Sequence, residues 1–120
     1  MNIRLSYDGT ITNNPIWSDV EKALEILKDE ADMFLRIVPE PEKGPSSLQV
    51  QSENGYYLPV LSTADEGVRE YINLEAEGEE PIEIQGYIYD AMTVTQDYDL
   101  IVRMVKEFYE TGDVSRDLLK

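Results

Sequence analysis

The pair Asn54-Gly55 limits what this chain can fold into more than any other feature. It lies between two alternating runs, Leu48-Gln49-Val50-Gln51 and Tyr56-Tyr57-Leu58-Pro59-Val60. A two-residue Asn-Gly link takes positive φ at both positions, and its twist matches that of the strands it joins, so the segment predicts a β-hairpin. Gln49 and Gln51 give the first strand one wet face. Pro59 lacks an amide hydrogen for a ladder, which places that part of the return strand at an edge or a bulge. Two more strands are predicted over 68–74 and 82–89. With short connections throughout, 48–89 reads as a meander and not as a βαβ series.

The rest of the chain supplies two more strands and two helices. Ile3, Leu5 and Tyr7 alternate with Arg4 and Ser6 in a half-buried strand ended by Asp8-Gly9. Met33, Leu35 and Ile37 alternate with Phe34, Arg36 and Val38, and apolar residues on both faces predict a central strand. Pro39, Pro41, Gly44 and Pro45 make a loop. Trp17, Val20, Ala23, Leu24 and Leu27 form one helical stripe, with the start marked by Pro15 or by Ser18 and Glu21 as a capping box, and the end near Asp29-Glu30. Tyr98, Ile101, Val105 and Phe108, with Met104 beside them, form a second stripe. It starts near Thr95 or Asp97 and stops at Thr111-Gly112; Asp99 and Arg103 are spaced to pair on its surface. The expected fold is α+β, a single domain over 1–120. Its antiparallel β-sheet has about five to six strands, and both amphipathic helices pack on one face.

Charge bears on partners. Twenty-five Asp/Glu stand against ten Lys/Arg, a net charge of −15, and the chain has no histidine and no cysteine. Such a field repels nucleic acid and anionic membranes and speeds encounters with basic proteins. Missing His and Cys remove the commonest general base, the commonest nucleophile and the usual transition-metal ligands. None of GxGxxG, GxxxxGK[ST] or GxSxG occurs. The reading is a non-enzymatic, cofactor-free protein. The absence of disulfide partners, of an N-terminal leader pattern and of any long apolar run favours the cytoplasm.

The stretch Glu75 to Asp90 combines carboxylates with aromatics. Glu75, Glu77, Glu79 and Glu80 form an exposed acidic turn before Pro81. They lack the ligand spacing of a calcium loop, so no metal is assigned. Tyr87 and Tyr89 share a strand face with Glu83, opposite Ile82, Ile84 and Ile88. If the isoleucines meet the helices, the tyrosines look outward, a composition suited to a protein interface. The candidate partner-binding residues are therefore Glu75, Glu77, Glu79, Glu80, Glu83, Tyr87, Tyr89 and Asp90. The exposed face of the first helix around Asp19, Glu21 and Glu25 is the alternative surface.

Two stretches carry a resemblance to a known group. Ile11-Thr12-Asn13-Asn14-Pro15-Ile16-Trp17-Ser18-Asp19-Val20-Glu21-Lys22-Ala23-Leu24 is similar to the opening of small acidic bacterial immunity-type proteins of polymorphic or contact-dependent toxin systems. Glu107-Phe108-Tyr109-Glu110-Thr111-Gly112-Asp113-Val114-Ser115 resembles their ending. Such proteins protect the producing cell by binding a toxin domain. The resemblance implies a cognate toxin as partner, and the charge implies that the toxin is basic and nuclease-like. A structural or regulatory subunit of another assembly, and an acidic nucleic-acid mimic that inhibits a defence nuclease, are the other two readings.

Overall fold

Alternation in the sequence becomes a row of leucines across a sheet. The computed structural model describes residues 1–120. Six strands, β1 (Ile3–Tyr7), β2 (Thr10–Asn13), β3 (Ala31–Ile37), β4 (Pro45–Glu53), β5 (Tyr56–Thr63) and β6 (Val68–Glu70), form one antiparallel sheet in the order β2-β1-β3-β4-β5-β6. Leu5 lies opposite Leu35, Leu35 opposite Leu48, and Leu48 opposite Leu61, all four fully buried. Directly opposed residues share a face, so this row defines the inner face. The next partner in line, opposite Leu61, is Arg69.

Both helices cover that face. Helix α1 (Trp17–Ile26) contributes Val20, Ala23 and Leu24, and α2 (Tyr98–Thr111) contributes Ile101, Met104, Val105 and Phe108, to a core shared with Leu5, Met33, Leu35, Leu48, Val50 and Leu61. Trp17 packs at its margin, 5.5 Å from the Tyr109 ring. Each fully buried Leu, Ile or Phe is worth roughly 1.5–3 kcal/mol of transfer free energy, so this face is the main stabilising unit. Two tyrosines of α2 tie the helices together: Tyr98 Oη donates to the Leu24 carbonyl and Tyr109 Oη to the Pro15 carbonyl, both at 2.8 Å.

Local rules decide the helix ends. α1 begins after Ile16, and the Asp19 carboxylate accepts from the Ile16 amide at 3.0 Å, so Asp19 performs the capping expected of Ser18 and Glu21. The helix stops at Ile26, short of Asp29, and Leu27 still enters the core. Asp97 caps α2 by accepting from the Leu100 amide. Gly112 closes it at φ +80°, with its amide donating to Phe108 at 2.7 Å, in a conformation an L side chain resists. Asp99 and Arg103 do not pair; the ion pairs are Lys28–Glu25, Arg69–Asp113 and Arg116–Glu66.

The strands depart from expectation in four places. Thr10–Asn13 is a strand, β2, which alternation does not reveal because Ile11 is its sole strongly apolar residue. β4 starts at Pro45, inside the expected loop, with a register shift between Pro45 and Ser47. The segment 82–89 is not a fourth meander strand. It folds on itself as β7 (Ile82–Ile84) and β8 (Tyr87–Tyr89), a separate two-stranded sheet, and β6 ends at Glu70 instead of Leu74. Pro59 behaves as expected. Tyr57 exchanges backbone hydrogen bonds with Thr95, so by period two Pro59 faces the same side, just past the end of β6, whose last residue, Glu70, lies opposite Val60. No helix is long and apolar enough to cross a membrane.

The C-terminal segment is fastened by Arg69. Its guanidinium donates to the carbonyls of Val114 (2.6 Å) and Leu119 (3.0 Å) and to the Asp113 carboxylate (3.0 Å), while Val114 and Leu119 sit in the core. A buried arginine is costly unless its fork is filled. Here three acceptors fill it.

Candidate protein-binding surface

Between Glu70 and Tyr98 the chain leaves the sheet and crosses to its outer face. Asn73 starts the excursion: its side chain accepts from the Glu75 amide at 3.1 Å, and its amide donates to the Met92 carbonyl at 2.8 Å. A short 3-10 turn over Leu74–Ala76 leads into the acidic turn. A second one over Ala91–Thr93 is capped by Asp90, whose carboxylate accepts from the Met92 amide at 2.9 Å. The excursion is held down by a small cluster of Leu58, Ile84 and Val94, with Tyr56, Val60, Ile82 and Tyr89 around it. Leu58 alternates with Tyr57 and Leu61, which face the helices, so this cluster lies on the opposite side of the sheet.

Gln85-Gly86 is the hinge of the β7–β8 hairpin, at φ +52° and +86°. Glycine adopts the second of these without penalty, and Gln85 is held by its contacts. The Gln85 amide donates to the Glu53 carboxylate. Its side chain donates to the carbonyls of Ala31 (3.0 Å) and Ser52 (3.3 Å). The turn is thereby bolted to the ends of β3 and β4.

The hairpin redistributes the side chains that a single strand would have segregated. Ile82 pairs with Tyr89 and Ile84 with Tyr87, so these four share a face. Ile84 is fully buried beneath the hairpin, Ile82 and Tyr89 are half-buried, and Tyr87 at the tip is 67% exposed. Glu83 and Ile88 form the other face, and Ile88 is 66% exposed. The expected grouping therefore fails for the isoleucines, which do not meet the helices, and for Tyr89, while Tyr87 looks outward as expected. Tyr89 is an anchor of the excursion, and Ile88 is an outward residue that strand parity hid. Leu74, expected in a strand, stands 71% exposed beside Glu75.

Glu75, Glu77, Glu79, Glu80, Glu83 and Asp90 are all exposed. None takes part in an ion pair. Residues 71–96 contain these six acids and no Lys or Arg, a local charge of −6. No three carboxylates of the chain converge where they could hold a metal ion. The largest concavity, about 370 Å³, is an open one between the Asp8-Gly9 turn and Gln85, lined by Tyr7, Asp32 and Phe34 among others. The alternative surface on α1 is more occupied, since Asp19 caps the helix and Glu25 pairs with Lys28.

With this geometry in place, comparison with other proteins fixes the kinship. A model of a family of unknown function, DUF6911, matches residues 2–118. The chain belongs to the DUF6911 family. A crystal structure of a hypothetical protein from Neisseria gonorrhoeae is similar to this DUF6911 chain, with a TM-score of 0.74 at 23% identity, covering 95% of this chain and 89% of that one. At that identity the likeness speaks to the fold alone. No curated protein matches the sequence.

Proposed function

We propose that this DUF6911 protein is a cytoplasmic, non-enzymatic immunity-type inhibitor that binds a basic toxin domain and blocks it by direct occlusion. The observation that carries the reading is the excursion: six exposed carboxylates without an ion pair share one segment with the exposed Tyr87 and Ile88. The carboxylates form a rim that attracts a basic surface. The exposed side chains at the hairpin tip supply area to desolvate on contact. Steering of this kind raises association rates from about 10⁵–10⁶ to about 10⁸–10⁹ M⁻¹s⁻¹ at low salt. The resemblance of both ends of the chain to immunity-type proteins supports the same class. A nuclease-like toxin fits because a nucleic-acid-binding cleft is basic and would meet this face in place of its substrate.

Surface plasmon resonance against the toxin encoded beside this protein, at two salt concentrations, tests the proposal. Glu79→Lys combined with Glu80→Lys slows association and flattens its salt dependence, because rim charges act on encounter. Tyr87→Ala speeds dissociation at least about tenfold, or ~1.4 kcal/mol. Unchanged kinetics in all these variants would move the interface off the excursion, and absence of binding by the wild type would sink the reading.

A further inference from the structure

The two ends of the sheet are finished differently. At one end β6 is three residues long, carries Arg69 and Glu70, and its Glu70 carbonyl is met by the Lys120 amide at 2.8 Å. That edge is short, charged and met by Lys120. At the other end β2 has nothing against it. The Asn14 amide donates to the Ile3 carbonyl at 2.8 Å, so residues 10, 12 and 14 turn their backbone groups towards β1. By period two, Ile11 and Asn13 turn theirs outward. Sheets defend such edges with charge, proline, bulges or a covering segment. β2 is four residues long and has no charged residue, proline or bulge of its own, although Arg4 of β1 donates to the Asn13 side chain at 2.9 Å. Its pairing with β1 is regular, and Gly9 through Ser18 is a run of ten residues without a charge in a chain that is 29% charged. Ile11 is 66% exposed on this edge.

We infer that the free edge of β2 pairs antiparallel with the β2 of a second copy, about a two-fold axis at Thr12, joining two six-stranded sheets into one. The register is self-complementary: Ile11 faces the partner's Asn13 and Asn13 faces the partner's Ile11, so every outward N–H and C=O of the strand is used. Charge selects this occupant. Copies carrying −15 repel one another, and repulsion is least along the neutral run. A basic protein gains nothing electrostatic there. The excursion sits over β5, four strand positions from β2. The two excursions of the pair are then nine spacings apart, roughly 43 Å, several times the ~8 Å over which charges are felt at physiological salt. Both acidic surfaces stay free at the far ends.

Sedimentation of the purified full chain from about 1 µM to about 1 mM tests this, since self-association follows concentration. The expected result is a species of twice the 13.7 kDa chain mass. Ile11→Pro removes an outward N–H that no internal bond needs, and Ile11→Lys places like charges beside the axis. Each weakens the dimer by at least about tenfold while far-UV circular dichroism stays that of the wild type. Hydrogen exchange on the wild type gives a second reading that needs no variant: the Ile11 and Asn13 amides gain protection as concentration rises. A chain monomeric throughout the range overturns the proposal, as does a dimer in which those amides gain no protection. Protection that appears only on adding a basic partner also overturns it, by showing that the edge belongs to a different protein.

Discussion

On the inner face of the sheet, eighteen buried side chains form one cluster in which both helices and four strands, β1, β3, β4 and β5, take part. On the outer face, three buried side chains, Leu58, Ile84 and Val94, hold down the excursion between β6 and α2. The inner face buries no carboxylate, and its one buried charge, Arg69, is fully engaged. The outer excursion carries six acids and no base. The difference is one of division of labour. The inner face supplies the free energy of folding, and the excursion spends little of it, which leaves a strongly charged surface on a segment whose local stability is low. A segment of that kind can adjust to a partner without unfolding its support.

The largest expected effect breaks the stronger side. Phe108 is fully buried where α2 meets the sheet, and Phe108→Ala costs about 3–5 kcal/mol through lost transfer energy and the cavity left behind. Chemical denaturation measures this as a fall in midpoint with an unchanged slope. A midpoint that hardly moves would remove the inner face from its place as the stability core.

A smaller and differently shaped effect is expected on the outer side. Ile84→Ala empties the one fully buried position of the hairpin, at about 2–3 kcal/mol locally. If the excursion is a separate unit, it opens on its own and the loss appears there first. Hydrogen exchange then shows the amides of β7 and β8 losing protection, while those of β3 and β4 keep theirs. Equal loss in all four strands would mean that the two faces unfold together and that the comparison is wrong.

How much of this was legible in the sequence follows the same divide. The inner face was readable because burial against helices imposes strict period two on the strands and a 3.6-residue stripe on the helices. Leu48, Val50, Ile101, Val105 and Phe108 announce themselves that way. Asn54-Gly55 set the central hairpin, and its φ values of +54° and +79° are those the pair favours. Gln85-Gly86 makes a turn with the same signs, yet glutamine is not a residue that favours positive φ. Its conformation is enforced by bonds to Ala31, Ser52 and Glu53, more than thirty positions away. No local pattern can report contacts of that range. Reading 82–89 as one strand then inverted the parity of everything after the turn, which is why Ile88 and Tyr89 exchanged roles. The acidic residues needed no such geometry: clustered carboxylates stay in water whatever the backbone does.

The smallest effect probes how closely the helices are joined on the inner side. Tyr98 lies half-buried at the start of α2, 5.7 Å from the Tyr57 ring and 5.0 Å below the Lys28 ammonium, with its hydroxyl donating to the Leu24 carbonyl. Burial pushes its phenol above the usual value, and the negative charge of Glu25, with that of Tyr57 and Asp99 when ionised, pushes the same way. The folded state thus holds this proton more tightly than the unfolded chain does. Below pH ~10 both states are protonated and the contribution is complete. As pH rises past the unfolded value the unfolded chain releases its proton first, so stability declines. Tyr98→Phe removes both the hydrogen bond and the titration. It lowers stability at neutral pH by roughly 0.5–1.5 kcal/mol, and its stability falls less steeply with pH above ~10 than that of the wild type. Denaturation of the two proteins between pH ~7 and ~11 measures the difference curve, which cancels the other tyrosines. Curves that stay parallel across the alkaline range would mean that Tyr98 is solvated and that the Leu24 contact does not hold α1 against α2.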